Sequence, residues 1–237
     1  MPLSRWERGW GEGLRNKILI PLRVTLGLIL SPAPQAVVFC FQLACAVCSF
    51  ARHAMPIEIE KKYRLTKSQR DEVLKRLPEI GARRNGEEFE ENTIYSGETL
   101  DLGRSVLRLR RVGKQAILTY KERFPSRSDI KHQREDETRV SDPEAMELIL
   151  DALGFTPALV YEKRRETWTM GKTEIVIDEL PFGLFMEIEG EEHAIREIES
   201  KLNIKRLRSE SATYPQLTLE RGKKRDRMVE ARFPQRR

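Results

Sequence analysis

The feature that most limits the fold is the alternation, in seven separate stretches, of one apolar face with one face that carries charge. A period of two belongs to β-strands, whose successive side chains point to opposite faces; helical faces repeat about every 3.6 residues. The first stretch, IEIEKKYRL (57–65), sets Glu58, Glu60 and Lys62 on one face and Ile57, Ile59, Lys61 and Tyr63 on the other. Arg108 and Arg110 share a face in VLRLRRV, Lys121 follows Thr119 in AILTYKE, and Glu135, Glu137 and Arg139 align in HQREDETRV. Lys163 and Arg165 pair in VYEKRRETW. Asp178 faces away from Ile175 and Ile177 in EIVIDEL, and Glu187 and Glu189 face away from Met186 and Ile188 in FMEIEG.

For any one of these strands a solvated outer face is the ordinary reading. As a set they segregate by sign. Acids pair about 6.6 Å apart along the first strand and again near the last, with basic pairs on the strands between. Turned into a barrel, the acids would converge on hard divalent cations, which take oxygen ligands. The lysines and arginines would line a wall where a polyphosphate fits, guanidinium forks gripping its oxygens. The apolar faces would then point outward and need helices to cover them.

Those helices are readable. TKSQRDEVLKRLPEIG has Thr66 or Ser68 as N-cap and Val73, Leu74 and Leu77 on one face. SDPEAMELILDALGF has Ser141 or Asp142 as cap, Pro143 in the first turn and Gly154 at the end. EEHAIREIESKL opens with acids suited to a helix N-terminus. Many antiparallel-type strands with few helices predict an α+β fold, a closed barrel of about eight strands with flanking helices.

Composition divides the chain further. The net charge is +6, but residues 1–55 hold six basic and two acidic side chains, and residues 222–237 hold seven and two. The stretch between them carries 30 basic and 33 acidic residues, net −3. The folded part therefore lacks the basic stripe of a nucleic-acid binder, and no nucleic-acid partner is expected. All three cysteines, Cys40, Cys45 and Cys48, lie in the first 54 residues. The cysteine-free remainder is large enough to bury a core and suits a reducing cytoplasm. Residues 1–54 are apolar and basic, broken by Arg23, Pro32 and Pro34. They read as a segment upstream of a natural start at Met55, or as a membrane or targeting segment; a membrane partner is expected only if that segment is genuine. Residues 55–221 read as the domain, and the basic 222–237 as a disordered tail.

With the strands in order, a resemblance becomes specific. Glu58-x-Glu60-x-Lys62 resembles the ExExK signature of the CYTH family, the triphosphate tunnel metalloenzymes. LRLR, LTYKE, REDE, EKRRETW and IDELPFGLFMEIEG follow in that family's order. The resemblance implies a β-barrel tunnel that binds a small-molecule triphosphate through basic side chains and Mg²⁺ or Mn²⁺ through carboxylates. Carried over by motif, Glu58, Glu60, Glu187 and Glu189, with Asp178, are metal-side carboxylates, and Glu135 and Glu137 match acids of the middle strand. Lys62, Arg108, Arg110, Lys121, Lys163 and Arg165 are triphosphate contacts. Glu58, Glu60 and Lys62 are the expected catalytic set. Lys62 is read as a phosphate contact, with deprotonation of the nucleophile as its alternative role. The chemistry is phosphoryl transfer by positioning and charge neutralisation.

The family includes thiamine triphosphatases, inorganic triphosphatases and class IV adenylyl cyclases. Its cyclases carry a His-Phe pair shortly before ExExK, whereas here His53 precedes Ala54. Triphosphate hydrolysis is therefore the first reading, cyclisation of ATP the second, and a non-catalytic polyphosphate-binding module the third. MGKT (170–173) fails as a P-loop because position 166, where the first glycine belongs, is Glu166. A monomer or a homodimer fits equally.

Overall fold

The computed structural model describes residues 56–234 apart from Leu102 and Arg127. The expectations for residues 1–54 lie outside the described residues. In chain order the elements are β1 (Ile57–Leu65), α1 (Lys67–Glu79), β2 (Arg83–Ser96), β3 (Ser105–Val112), β4 (Gln115–Arg123) and β5 (Lys131–Val140). Then follow α2 (Pro143–Ala152), β6 (Thr156–Met170), β7 (Thr173–Leu180), β8 (Gly183–Glu189), α3 (Glu192–Lys201), α4 (Tyr214–Arg221), β9 (Lys223–Arg225) and β10 (Met228–Ala231).

Strands β2-β3-β4-β5-β1-β8-β7-β6 neighbour one another in that order, and β6 pairs back onto β2. The result is a closed eight-stranded antiparallel barrel with four helices, an α+β fold. Strand β2 begins at Arg83 and runs antiparallel to β6 over its whole length. That length needs a partner distant in sequence, so local pattern alone does not show it.

Helices α1 and α2 start where their caps dictate. Thr66 caps α1 by accepting from Gln69 N, and the Gln69 side chain bonds back to Thr66 N, a full capping box. Asp142 caps α2 by accepting from Ala145 N. Gly81 and Gly154, at φ +86° and +85°, take the left-handed conformation that follows α1 and α2. Val73 and Leu77 of α1 and Ile195 and Ile198 of α3 pack on Tyr63, Ile175, Met186 and Ile188 from the outward barrel faces. Complete burial of a side chain such as Leu77 stabilises the fold by about 1.5–3 kcal/mol. Leu150 of α2 covers Leu107, Leu109 and Val140.

Two features depart from expectation. Helix α4, capped by Thr213 with a second capping box, packs Tyr214 and Leu217 against Ile94, Tyr161 and Phe185. Those three share strand faces with Asn92, Lys163 and Glu187, so α4 plugs the barrel rather than covering its outside. Within the tail expected to be disordered, Lys223–Arg225 and Met228–Ala231 instead form β9 and β10. β7 pairs with β6 only from Arg164 onward, and β10 takes the open edge at Leu159–Tyr161 in parallel register. Unpaired edge N–H and C=O groups gain partners there, which offsets the entropy of ordering the tail.

Candidate active site

The inward faces enclose a cavity of about 250 Å³. Lys62, Arg108, Arg110, Lys121, Lys163 and Arg165 all line it, as do Glu58, Glu60, Glu135, Glu137, Glu187 and Glu189. Period-two alternation delivers each of them from its strand, because barrel closure points one face of every strand inward. Asp178 does not line the cavity. It sits beneath the wall, where Arg165 grips both its oxygens at 2.8 and 2.7 Å and Tyr214 Oη donates to Oδ2 at 2.8 Å. Its lone pairs are committed to protein donors, so its place is to hold Arg165 and α4 rather than to face a ligand.

Carboxylates hold the basic wall in position. Glu90, fully buried, lies 3.2 Å from Lys163 Nζ, 3.7 Å from Arg165 Nε and 3.8 Å from Arg110 Nη1. Burial alone would raise its carboxyl, but Lys163, Arg165 and Arg110 together hold it well below the usual carboxylate range. Glu187 behaves alike. Its burial is outweighed by Lys62, 3.2 Å away, and Arg165, 2.8 Å away, and its carboxyl is also held low. Lys62 also donates to Ala212 O at 3.3 Å and stands 3.9 Å from the centre of the Tyr214 ring. Arg108 Nε and Arg110 Nε are buried without an acceptor. Buried donors left unpaired carry a desolvation cost that a ligand oxygen would relieve.

One sector of the wall is acidic. Glu189 is the direct cross-strand partner of Glu60 on β1 and of Glu174 on β7. Like charges directly opposite repel. Desolvation by the surrounding wall first, then Glu58, push the carboxyl of Glu189, whose side chain keeps solvent contact, up to about 8, with Glu174 and Glu135 adding and Lys121 opposing. Glu58 is also raised, mainly by burial, although Lys121 and Gln133 each donate to it at 2.6 Å. Among the described residues no three His, Cys, Asp or Glu side chains stand together as a ready metal cage. The all-carboxylate donor set and the crowding of like groups around Glu189 nonetheless fit a hard divalent cation, which takes oxygen ligands and offsets that crowding.

Sequence reasoning missed Glu90, Glu174, Tyr161 and Tyr214. Glu174 lies four residues before Asp178 in TEIVIDEL, in phase with it, so the period already marked it. Glu90 belongs to the part of β2 that only pairing with β6 reveals. Tyr161 needed the inward register of β6, and Tyr214 needed the path of the chain after α3. His132 approaches Glu192 to 2.9 Å with its side chain one-third exposed.

The CYTH domain matches residues 56–221. The PH1819 protein of Pyrococcus horikoshii OT3 is similar at 26% identity and TM-score 0.55, over 69% of this chain and 98% of that one. The PH1012 protein of the same organism is similar at 24% identity and TM-score 0.58, over 66% and 96%. HpAC1 from Hippeastrum, a proposed adenylyl cyclase with a dominant triphosphatase activity, shares the fold at 19% identity and TM-score 0.53, over 66% and 92%. No curated protein matches the chain.

Proposed function

We propose that this chain, which belongs to the CYTH domain family, hydrolyses a triphosphate bound in its tunnel with the help of Mg²⁺ or Mn²⁺. One observation carries the reading: Lys62, Arg108, Arg110, Lys121, Lys163 and Arg165 line a single cavity in which Arg108 Nε and Arg110 Nε have no acceptor. Phosphate oxygens are strong acceptors, and charge-assisted bonds from guanidinium forks match them in geometry. Small triphosphates are the ligands of this family. At about 250 Å³ the cavity falls below the roughly 300–1,000 Å³ of pockets that enclose drug-sized ligands. A triphosphate would fill it, and any organic substituent would lie at its mouth.

Glu58, Glu60 and Glu189 would hold the cation, with Glu135, Glu137 and Glu187 completing the carboxylate set while keeping basic partners. Bound there, the cation supplies a Lewis acid for phosphoryl oxygens. The chain's own groups bind, orient and neutralise. Lys163 and Arg165, held by Glu90 and Asp178, are fixed before substrate arrives, so their charge meets the phosphate without reorganisation. Lys62, seated between Glu187 and the Tyr214 ring, would serve as a phosphate contact rather than as a free base. Tyr214 and Pro215 line the cavity where α4 plugs the barrel and exclude water there. A cytoplasmic setting suits the cysteine-free domain; among the described residues no helix is long and apolar enough to cross a membrane.

The test is a turnover screen with tripolyphosphate, thiamine triphosphate and ATP, with Mg²⁺ or Mn²⁺, scoring orthophosphate, pyrophosphate and cyclic AMP separately. Metal-dependent orthophosphate release is expected. Pyrophosphate appearing with cyclic AMP would reverse the preference to a cyclase, and no turnover of any substrate would leave a binding module.

A further inference from the structure

Residues 222–234 lie beyond the stretch matched by the family and fold back onto the barrel. Their anchor is Arg232. Its guanidinium reaches Glu91 on β2 and Glu162 on β6, the latter at 3.0 Å. Glu91 and Glu162 are themselves direct cross-strand partners, an arrangement of like charges that is unfavourable until a cation stands between them. Phe233 N donates to Glu162 Oε2 at 2.7 Å, and the Arg164 guanidinium lies over the Phe233 ring at 4.0 Å.

The segment so anchored presses on α4. Val229 and Ala231 pack with Tyr214 and Leu217. Contact is close enough that a Cβ on Gly222 would stand 2.7 Å from Val229 Cγ1 and 2.6 Å from Thr218 O. Helix α4 in turn carries Tyr214, which bonds Asp178 and stacks on Lys62. A continuous chain of contacts therefore runs from a surface arginine to a tunnel lysine.

We infer that Arg232 is a positioning residue for the tunnel: its clasp on Glu91 and Glu162 seats β10, and β10 holds Tyr214 of α4 against Lys62 and Asp178. The clasp itself stands on contacts alone, while its effect on ligand binding rests on the triphosphate reading. Without the clasp, α4 has only its own packing to keep it in the barrel. Lys62 then gains water and loses its fixed place, and the grip on a phosphate weakens.

Amide hydrogen exchange on the full chain, compared among wild type, Arg232→Glu and Arg232→Lys, tests this, together with calorimetric binding of tripolyphosphate. In Arg232→Glu the amides of residues 216–221 should exchange about tenfold faster, and tripolyphosphate should bind about tenfold more weakly. Arg232→Lys, which keeps the charge, should recover most of both, and α1 should exchange as in wild type. Unchanged protection of α4 in Arg232→Glu would overturn the clasp, as would equal acceleration in α1 and α4, which marks a global loss of stability. Faster exchange in α4 with undiminished tripolyphosphate binding would overturn the positioning role. A wild-type protein that does not bind tripolyphosphate would count against the triphosphate reading, and exchange in α4 would still decide the clasp.

Discussion

Lys163 Nζ lies 3.2 Å from Glu90 Oε2, and both side chains are essentially without solvent contact. The pair sits on neighbouring strands β6 and β2, in register where the barrel closes. Removing one partner of a buried pair strands the other charge, at a cost of about 3–5 kcal/mol. Glu90→Gln is therefore expected to lower stability by that order in urea denaturation. A loss under about 0.5 kcal/mol, typical of a surface change, would show that Asp178 alone compensates Lys163.

The same carboxyl makes a pH prediction. Lys163, Arg165 and Arg110 outweigh the effect of burial and hold Glu90 below its ordinary value. A carboxyl lowered on folding stabilises the protein above its unfolded pKa, about 4.3, and that contribution drains away as pH falls towards the folded value. Wild type should lose stability steadily below about pH 5, and Glu90→Gln should lose less over the same range. Parallel acid-denaturation curves would contradict the placement of charge described above.

Glu60→Gln and Glu189→Gln each remove a carboxylate from the acidic sector. Metal-dependent turnover should fall about 100-fold or more, since even groups that only support a ligand cost 10–100-fold when changed. Glu189→Gln should at the same time leave thermal stability equal or higher, because it removes a carboxyl that Glu58, Glu174 and Glu135 crowd. Turnover and melting measured on the same samples check both halves, and wild-type rates would refute the carboxylate assignment.

Arg108→Ala should weaken tripolyphosphate binding by about 1.5–3 kcal/mol, the range for a bond to a charged group, or roughly 10–100-fold. Calorimetric titration reads this directly. Arg108→Lys should recover only part of the loss, because an ammonium lacks the planar fork.

Leu77→Ala in α1 should cost about 2–5 kcal/mol of stability through the cavity it leaves. The residue packs on the outer face of the barrel, so tripolyphosphate affinity measured well below the melting temperature should stay at the wild-type level.

Much of the cavity lining was legible in advance. Twelve residues marked by period two and by motif, among them Glu58, Lys62, Arg108, Lys163 and Glu189, line one cavity. The alternation carries that far because a β-strand has only two faces, and a face bearing charge on every strand must either be solvated or meet the others inside. Asp178 shows the limit of the pattern. Its phase is right and its face is inward, yet Arg165 and Tyr214 claim its oxygens. Which acceptor a donor takes depends on residues brought from elsewhere in the chain, and periodicity carries no record of them.

The tail shows the same limit from the other side. MVEARF alternates Val229, Ala231 and Phe233 with Glu230 and Arg232, a strand pattern lying within a run of basic residues. Charge made it read as solvated. Its order comes from an open edge on β6 and from the Glu91 and Glu162 pair, more than sixty residues away in the chain.

From its own residues the chain determines which faces are charged, where helices start and stop, and that its inward groups are acids and bases in alternating sets. These properties are local, written in spacing and in caps. Tertiary structure alone decides that β6 closes onto β2, so that Glu90 anchors Lys163, that Glu189 stands between Glu60 and Glu174, and that α4 enters the barrel. Each of those depends on strands distant in sequence meeting in one register, and register is set by the packing of the whole barrel.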